Sequence, residues 1–509
     1  MRGPVRFSAV AGALVLLLMP LPASGRPAQR ERPSSVRIET DFSFTTNLVH
    51  WVDNLAGTSV GKTMPFYRRY WEERFGPPDA GDRAALEDFA SIRRAALVTP
   101  GHQVANESGC LPVAAERLGW HQLFLSEAMT ARSLPELRDL MSHHMSGPEL
   151  EKLMASLERF RPRFERVWKD LVYVRRFDAR FHKYLARDGM VGYLESIAVF
   201  LGVTPRPDEP MKISFIGLPS DGPTHAEADG DHLLIEIRPT DAPRDQVQVV
   251  AHEGSHFLMR RMTPAQVDAM ARQAFEQKEA GALFWRYVWE GLPTALGQGL
   301  AEARLTPDTF SLSGPWYHIA TIDRFAKLIY PGVAQAVNAS RRLDDGLVSA
   351  LTRTLAASPL YREARPVEFL MTGFYASGEL ADEMAAMRSR LDLRGDVGSV
   401  SFALGDAWGG EMLRRYVCLG GVALLKPEEV ERAALLDGTP MLSEETRRQV
   451  QEQTSRGAAV IATGRRAAGA PVFFLVVPRR GLVEPLVEAF GRLRGLPDRL
   501  ILITGSEVP

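Results

Sequence analysis

The chain has 509 residues, 45% of them hydrophobic, which is too long for one ordinary core and points to two or three folded regions. Its 61 basic residues nearly balance 62 acidic ones, giving a formal net charge of -1. That excludes the basic field that nucleic acid or an anionic membrane surface would require, and neither is expected as a partner. At the start, Arg2 and Arg6 precede an apolar run from Ala9 to Met19, then Pro20, Pro22 and the small residues Ala23, Ser24 and Gly25. This is the pattern of a secretory signal over residues 1–25, cleaved after Gly25. The run is too short to span a bilayer, and no later stretch is continuously apolar over about 18 residues, so no membrane span is expected after cleavage. The mature protein is expected to be secreted or periplasmic. Cys110 and Cys418 permit at most one bridge, and no cysteine metal site or CxxC pair is present.

Residues 26–36 read as a flexible leader, and the region 26–205 as mainly helical. Leu150, Leu153, Leu157, Phe160, Phe164, Val167 and Leu171 recur at helical spacing. Ser146 and Glu149 form a capping box ahead of them, and Pro162 should kink or divide the helix. His143 and His144, being adjacent, would point to different helix faces and make a poor chelating pair. Asn106 and Asn338 stand in glycosylation-type triplets, which a bacterial origin would make incidental.

In the central region, 206–393, Lys212–Gly217 and His232–Arg238 read as strands separated by turn-rich Pro219–Gly230. A long helix should follow, capped by Asp241 and ending near Met262, with Val247, Val250, Ala251, Phe257 and Leu258 on its buried face. Thr263-Pro264-Ala265-Gln266 opens another helix that is expected to stop at Gly281, and further helices run to about Ser389. In the last region, 394–509, apolar strands at Ala458–Ala462, Val472–Val477 and Leu500–Thr504 alternate with helices at Ser443–Thr454 and Leu482–Leu493, the pattern of a small α/β module. The predicted fold class is α+β, mostly helical.

The chemistry concentrates at His252-Glu253-Gly254-Ser255-His256. Four residues apart on a helix, His252 and His256 project from one face about one turn apart, so both imidazoles can reach one ion. Glu253 lies about 100° round the helix, beside the ligands and not among them, where a general base belongs. Catalytic zinc takes three protein ligands and leaves a position for water, whose pKa falls to about 7. Glu276, Glu279 and Glu290 compete as third ligand. Local sequence favours Glu290, because Trp289-Glu290-Gly291-Leu292 leads into small and apolar residues through Leu300 and could open a buried helix. Glu276 lies in a charged patch typical of a solvated face.

HEGSH followed by WEGL resembles the gluzincin metallopeptidases over about residues 210–300. The resemblance implies a zincin-like catalytic core, Zn2+ held by His252, His256 and a downstream glutamate, and hydrolysis of a peptide or protein substrate. The interval from His256 to Glu290 is longer than in the best-known members, and Trp289 replaces the asparagine of aminopeptidase-like members. Thermolysin-like spacing from His256 instead points to Glu276. Tyr317 and His318 are candidate donors to a tetrahedral oxyanion, ahead of Tyr330 and Tyr375. In zincins an edge strand above the metal holds extended substrate; Leu233–Ile237 is either that strand or an interior one. Glu302, Thr294 and Asp245 are unranked partners for the imidazoles. The reading is therefore a secreted zinc metallopeptidase with Glu253 as general base. Its rivals are an exported binding or assembly protein with a structural or vestigial metal site, and a hydrolase acting on another acyl bond.

Overall fold

A computed structural model describes residues 36–58, 63–94, 120–187, 189–206, 208–229, 232–369, 373–391, 400–403, 420–435, 440–466 and 469–504. The expected signal, Asn106, Cys110 and Cys418 lie outside the described residues. Among the described residues helix dominates, at 63%, in agreement with an α+β, mostly helical chain. No helix among the described residues is long and apolar enough to cross a membrane.

Two sheets organise the helices into layers. The first contains β1 (Ile38–Asp41), β2 (Met211–Gly217), β3 (Ala226–Asp229) and β4 (His232–Ile237), in the order β1-β2-β4-β3. The first three in that order are parallel, and β3 runs antiparallel to β4 at the edge. Strand β4 is thus the interior strand of the two alternatives. The edges are β1 and β3, and β3 falls in the stretch expected to be turns.

Because side chains alternate across a strand, each face of this sheet feeds a different core. Ile216, Leu218 and Leu234 pack with Trp51, Tyr67, Trp71, Phe160 and Phe164 of the amino-terminal helices. Ile213, Phe215, Leu233, Ile235 and Ile237 face the central helices. The helix Phe44–Ala56 is fixed to the sheet through Asn47. Its amide donates to the Phe215 carbonyl at 3.0 Å and accepts from the Gly217 N–H at 2.9 Å. The ladder with β1 ends at Ser214, so the Asn47 side chain satisfies the backbone groups β1 leaves unmet. On the same side of the sheet, the fully buried Glu236 carboxylate accepts from His50 Nε2 (2.8 Å), Thr63 Oγ1 (3.0 Å), Tyr67 OH (2.7 Å) and the His225 N–H (2.7 Å). Burial and the Glu236 charge together push the Tyr67 hydroxyl well above the usual phenol range.

The second sheet has the order β10-β8-β9-β7-β5-β6: β5 (Gly373–Ala376), β6 (Val400–Ala403), β7 (Gly421–Leu425), β8 (Ala459–Arg465), β9 (Pro471–Val476) and β10 (Ile501–Ile503). Strands β5, β6, β7 and β9 are parallel, whereas β8 is antiparallel to both β9 and β10. Ala423, Leu425, Val460, Val472 and Phe474 join the central helical core. Val422, Leu424, Ile461, Phe473 and Leu475 face the outer helices Ala381–Arg390 and Val483–Arg492. The chain therefore stacks helices, sheet, helices, sheet and helices.

Several local expectations are corrected. The helix Gly147–Trp168 has the expected Ser146–Glu149 capping box but passes through Pro162 undivided, with Phe160 and Phe164 buried on either side. The helix Pro264–Phe275 ends before Gly281, and the break falls at Lys278, whose φ is +52°. Gly281 instead lies within the next helix, Lys278–Thr294, where a Cβ would stand 1.8 Å from the Ala274 carbonyl oxygen. Its absence of a side chain lets consecutive helices touch. His143 and His144 follow the helix Leu134–Met141, with His144 bonded to Glu127 at 3.0 Å.

Candidate metal centre

The motif helix spans Val247–Met259, after a 3-10 turn at Pro243–Gln246. Asp241 does not cap it. Its carboxylate turns back to the Arg238 N–H at 2.8 Å, and Asp245 accepts from Ala242 N at 2.7 Å. The apolar face anticipated from Val247, Val250, Ala251, Phe257 and Leu258 is buried in the central core, which aims His252 and His256 toward the Lys278–Thr294 helix. That helix carries Glu290 in its last turns, with Pro293 inside it, and continues as a π-helix over Ala295–Ala301. Glu290 thus does not open a helix, as its sequence context suggests.

Three side chains converge. His252 Nε2 lies 3.0 Å from Glu290 Oε1, His256 Nε2 lies 3.4 Å from Glu290 Oε2, and the two imidazole Nε2 atoms are 3.2 Å apart. These groups form a candidate metal cluster whose donor atoms all lie within 4.8 Å of one another. Tetrahedral ligands bonded to zinc at about 2.0–2.1 Å stand roughly 3.4 Å apart, so the separations of the two imidazoles from each other and from the two oxygens of Glu290 are of the size such an ion needs, and the donor set suits it chemically. Glu276 is exposed at the end of its helix, and Glu279 pairs with Arg465 of β8. Neither belongs to the triangle.

Burial disfavours a charged His252, yet the Glu290 hydrogen bond and charge, with Glu253, raise its pKa from 6.5 to about 9. Burial alone would raise Glu290, but the two histidines hold its carboxyl well below the usual range. His225, just before β3, is also raised to about 9: burial opposes its charge, while Glu227, Glu236 and Glu253 favour it. Glu253 is 7% exposed.

A pH dependence follows for the chain freed of metal. Because the folded-state pKa of His252 and of His225 exceeds the ordinary value, their stabilisation is complete below about pH 6.5 and disappears as pH rises through about 9. Glu290 has the opposite sense: its contribution is present above the ordinary carboxylate pKa of 4.5 and is lost as pH falls through its depressed value. Thermal unfolding in excess chelator should show a midpoint that declines between pH 6.5 and 9; a flat midpoint there would contradict these assignments.

Tyr317 reaches the site, its ring nearly parallel to His252 with centroids 6.0 Å apart. Asp323 fixes this loop by accepting from Trp316 N at 2.6 Å and Tyr317 N at 3.2 Å. Lys327 ties the same carboxylate, at 2.8 Å, to the Gly314 carbonyl, at 2.6 Å. Partial burial works against the Asp323 charge, but Lys327 and the two N–H donors hold its pKa down. His318 is exposed beyond Tyr317, the two rings 4.4 Å apart. Tyr330 packs on Trp316, and Tyr375 is buried on β5.

Gln298 is the residue sequence reasoning missed: its Oε1 lies 3.1 Å from His252 Nδ1. Of the three partners left unranked, Thr294 donates to the Glu290 carbonyl at 2.8 Å, Asp245 serves the turn before the motif helix, and Glu302 is partly buried, which raises its pKa. No protein-family model, curated protein or solved structure matches this chain.

Proposed function

We propose that the chain is an exported zinc metallopeptidase of the gluzincin type. The observation that carries this reading is the convergence of His252, His256 and Glu290, the two imidazoles 3.2 Å apart and each 3.0 to 3.4 Å from one oxygen of the Glu290 carboxylate, with Glu253 next to the first histidine on the same helix. Zinc bound there would supply Lewis acidity and a nucleophile at neutral pH. Glu253 takes a proton from the attacking water and delivers it to the leaving amine. Tyr317 is the better placed of the two anticipated oxyanion donors, since its ring lies against His252 while His318 stands outside it. The outer edge of β3, beside the motif helix, is the surface on which an extended peptide would pair, displacing Arg260 from the Ala228 carbonyl.

The purified chain should contain about one zinc and cleave peptides in a reaction that a chelator stops and added zinc restores. Metal with no turnover on peptides would favour the binding or assembly reading. Turnover confined to esters would favour the other hydrolase.

A further inference from the structure

We infer that Gln298 is a positioning residue for His252, and that the π-helical stretch Ala295–Ala301 serves to bring it there. This rests on the metal-centre reading above. Glu290 and Gln298 meet opposite nitrogens of the same imidazole, Glu290 at Nε2 (3.0 Å) and Gln298 at Nδ1 (3.1 Å). They are eight residues apart. Eight α-helical steps of about 100° leave the second side chain roughly 80° round from the first, on another face. The wider i→i+5 turns rotate less per residue and return Gln298 toward the face of Glu290. Pro293, which brings no N–H to the helix, stands just before the change of winding.

The surroundings hold this geometry in place. The Tyr193 hydroxyl donates to the Leu296 carbonyl. Gly297 rests directly on the motif helix, where a Cβ would lie 2.7 Å from Gln248 O, 2.7 Å from His252 Cβ and 2.9 Å from His252 N. Only a residue without a side chain allows the π turn this close to the backbone that carries the ligand. The amide also has the chemistry the position needs. Its oxygen accepts a hydrogen bond from Nδ1–H, leaving the Nε2 lone pair directed toward Glu290 and His256.

The test compares zinc affinity, by competition with a chromogenic chelator, in the parent chain, Q298L and Q298E. Leucine removes the acceptor at similar volume, whereas glutamate keeps it. We expect Q298L to bind zinc about 10–100-fold more weakly and Q298E to bind at least as tightly as the parent, with metal-free unfolding midpoints close together in all three. Parent-like zinc binding by Q298L overturns the proposal. So does equal weakening in Q298L and Q298E, which would mark residue 298 as packing alone. Failure of the parent to bind zinc removes the metal-centre reading and this inference with it.

Discussion

Glu253→Gln is expected to keep its zinc and lose about 10²–10⁴-fold in peptide turnover, the contribution a positioned general base makes. The amide is the same size as the carboxylate and sits on a helix whose fold depends on Val247, Val250, Ala251 and Leu258, so the ligand geometry should survive. Only the proton acceptor is lost. Metal content measured beside kcat separates the outcomes: bound zinc with turnover reduced supports the assignment, and bound zinc with turnover unchanged would sink it. A variant that lost metal as well would place Glu253 among the ligands.

Removing the proposed third ligand should have the larger effect on binding. Glu290→Ala is expected to weaken zinc by more than the 10–100-fold typical of losing an outer partner, because a direct donor disappears from the triangle. It also takes from His252 the carboxylate whose hydrogen bond and charge raise its pKa to about 9. Glu276→Ala is the matched control. Glu276 is exposed and outside the cluster, so its removal should leave zinc affinity unchanged within error. The reverse pattern in chelator competition would return the ligand role to the residue favoured by thermolysin-like spacing.

What could be read from the sequence was what local rules decide. The four-residue spacing of His252 and His256, the capping boxes at Ser146 and Thr263, and the apolar strands at β8 and β9 all depend on short-range periodicity or turn chemistry. Strand β3 was hidden because Ala226-Glu227-Ala228-Asp229 has no β-branched residue; its extended form comes from pairing with β4. Asn47 finishing the ladder of β1 is likewise a tertiary arrangement. Glu290, which the structure brings beside the two histidines, stands out from its apolar surroundings, but the helix that carries it does not, since Gly281 looks like a stop and is a contact between helices. Gln298 could not be placed by counting α-helical turns. Its position depends on a change of winding, for which Pro293 and the glycines at 297 and 299 are the available sequence hints.

The donor triangle joins parts of the molecule with different anchorage. Two donors ride on a helix seated against the first sheet. The third rides on a helix bound to the second sheet through Glu279 to Arg465 and to the turn Pro366–Phe369 through Tyr287 to Glu368, the latter at 2.9 Å. An ion gripped by all three would act as a rivet between these two helices. Filling the site would stiffen what each helix is bonded to, and the gain in resistance to unfolding would grow with the logarithm of free metal once the site saturates.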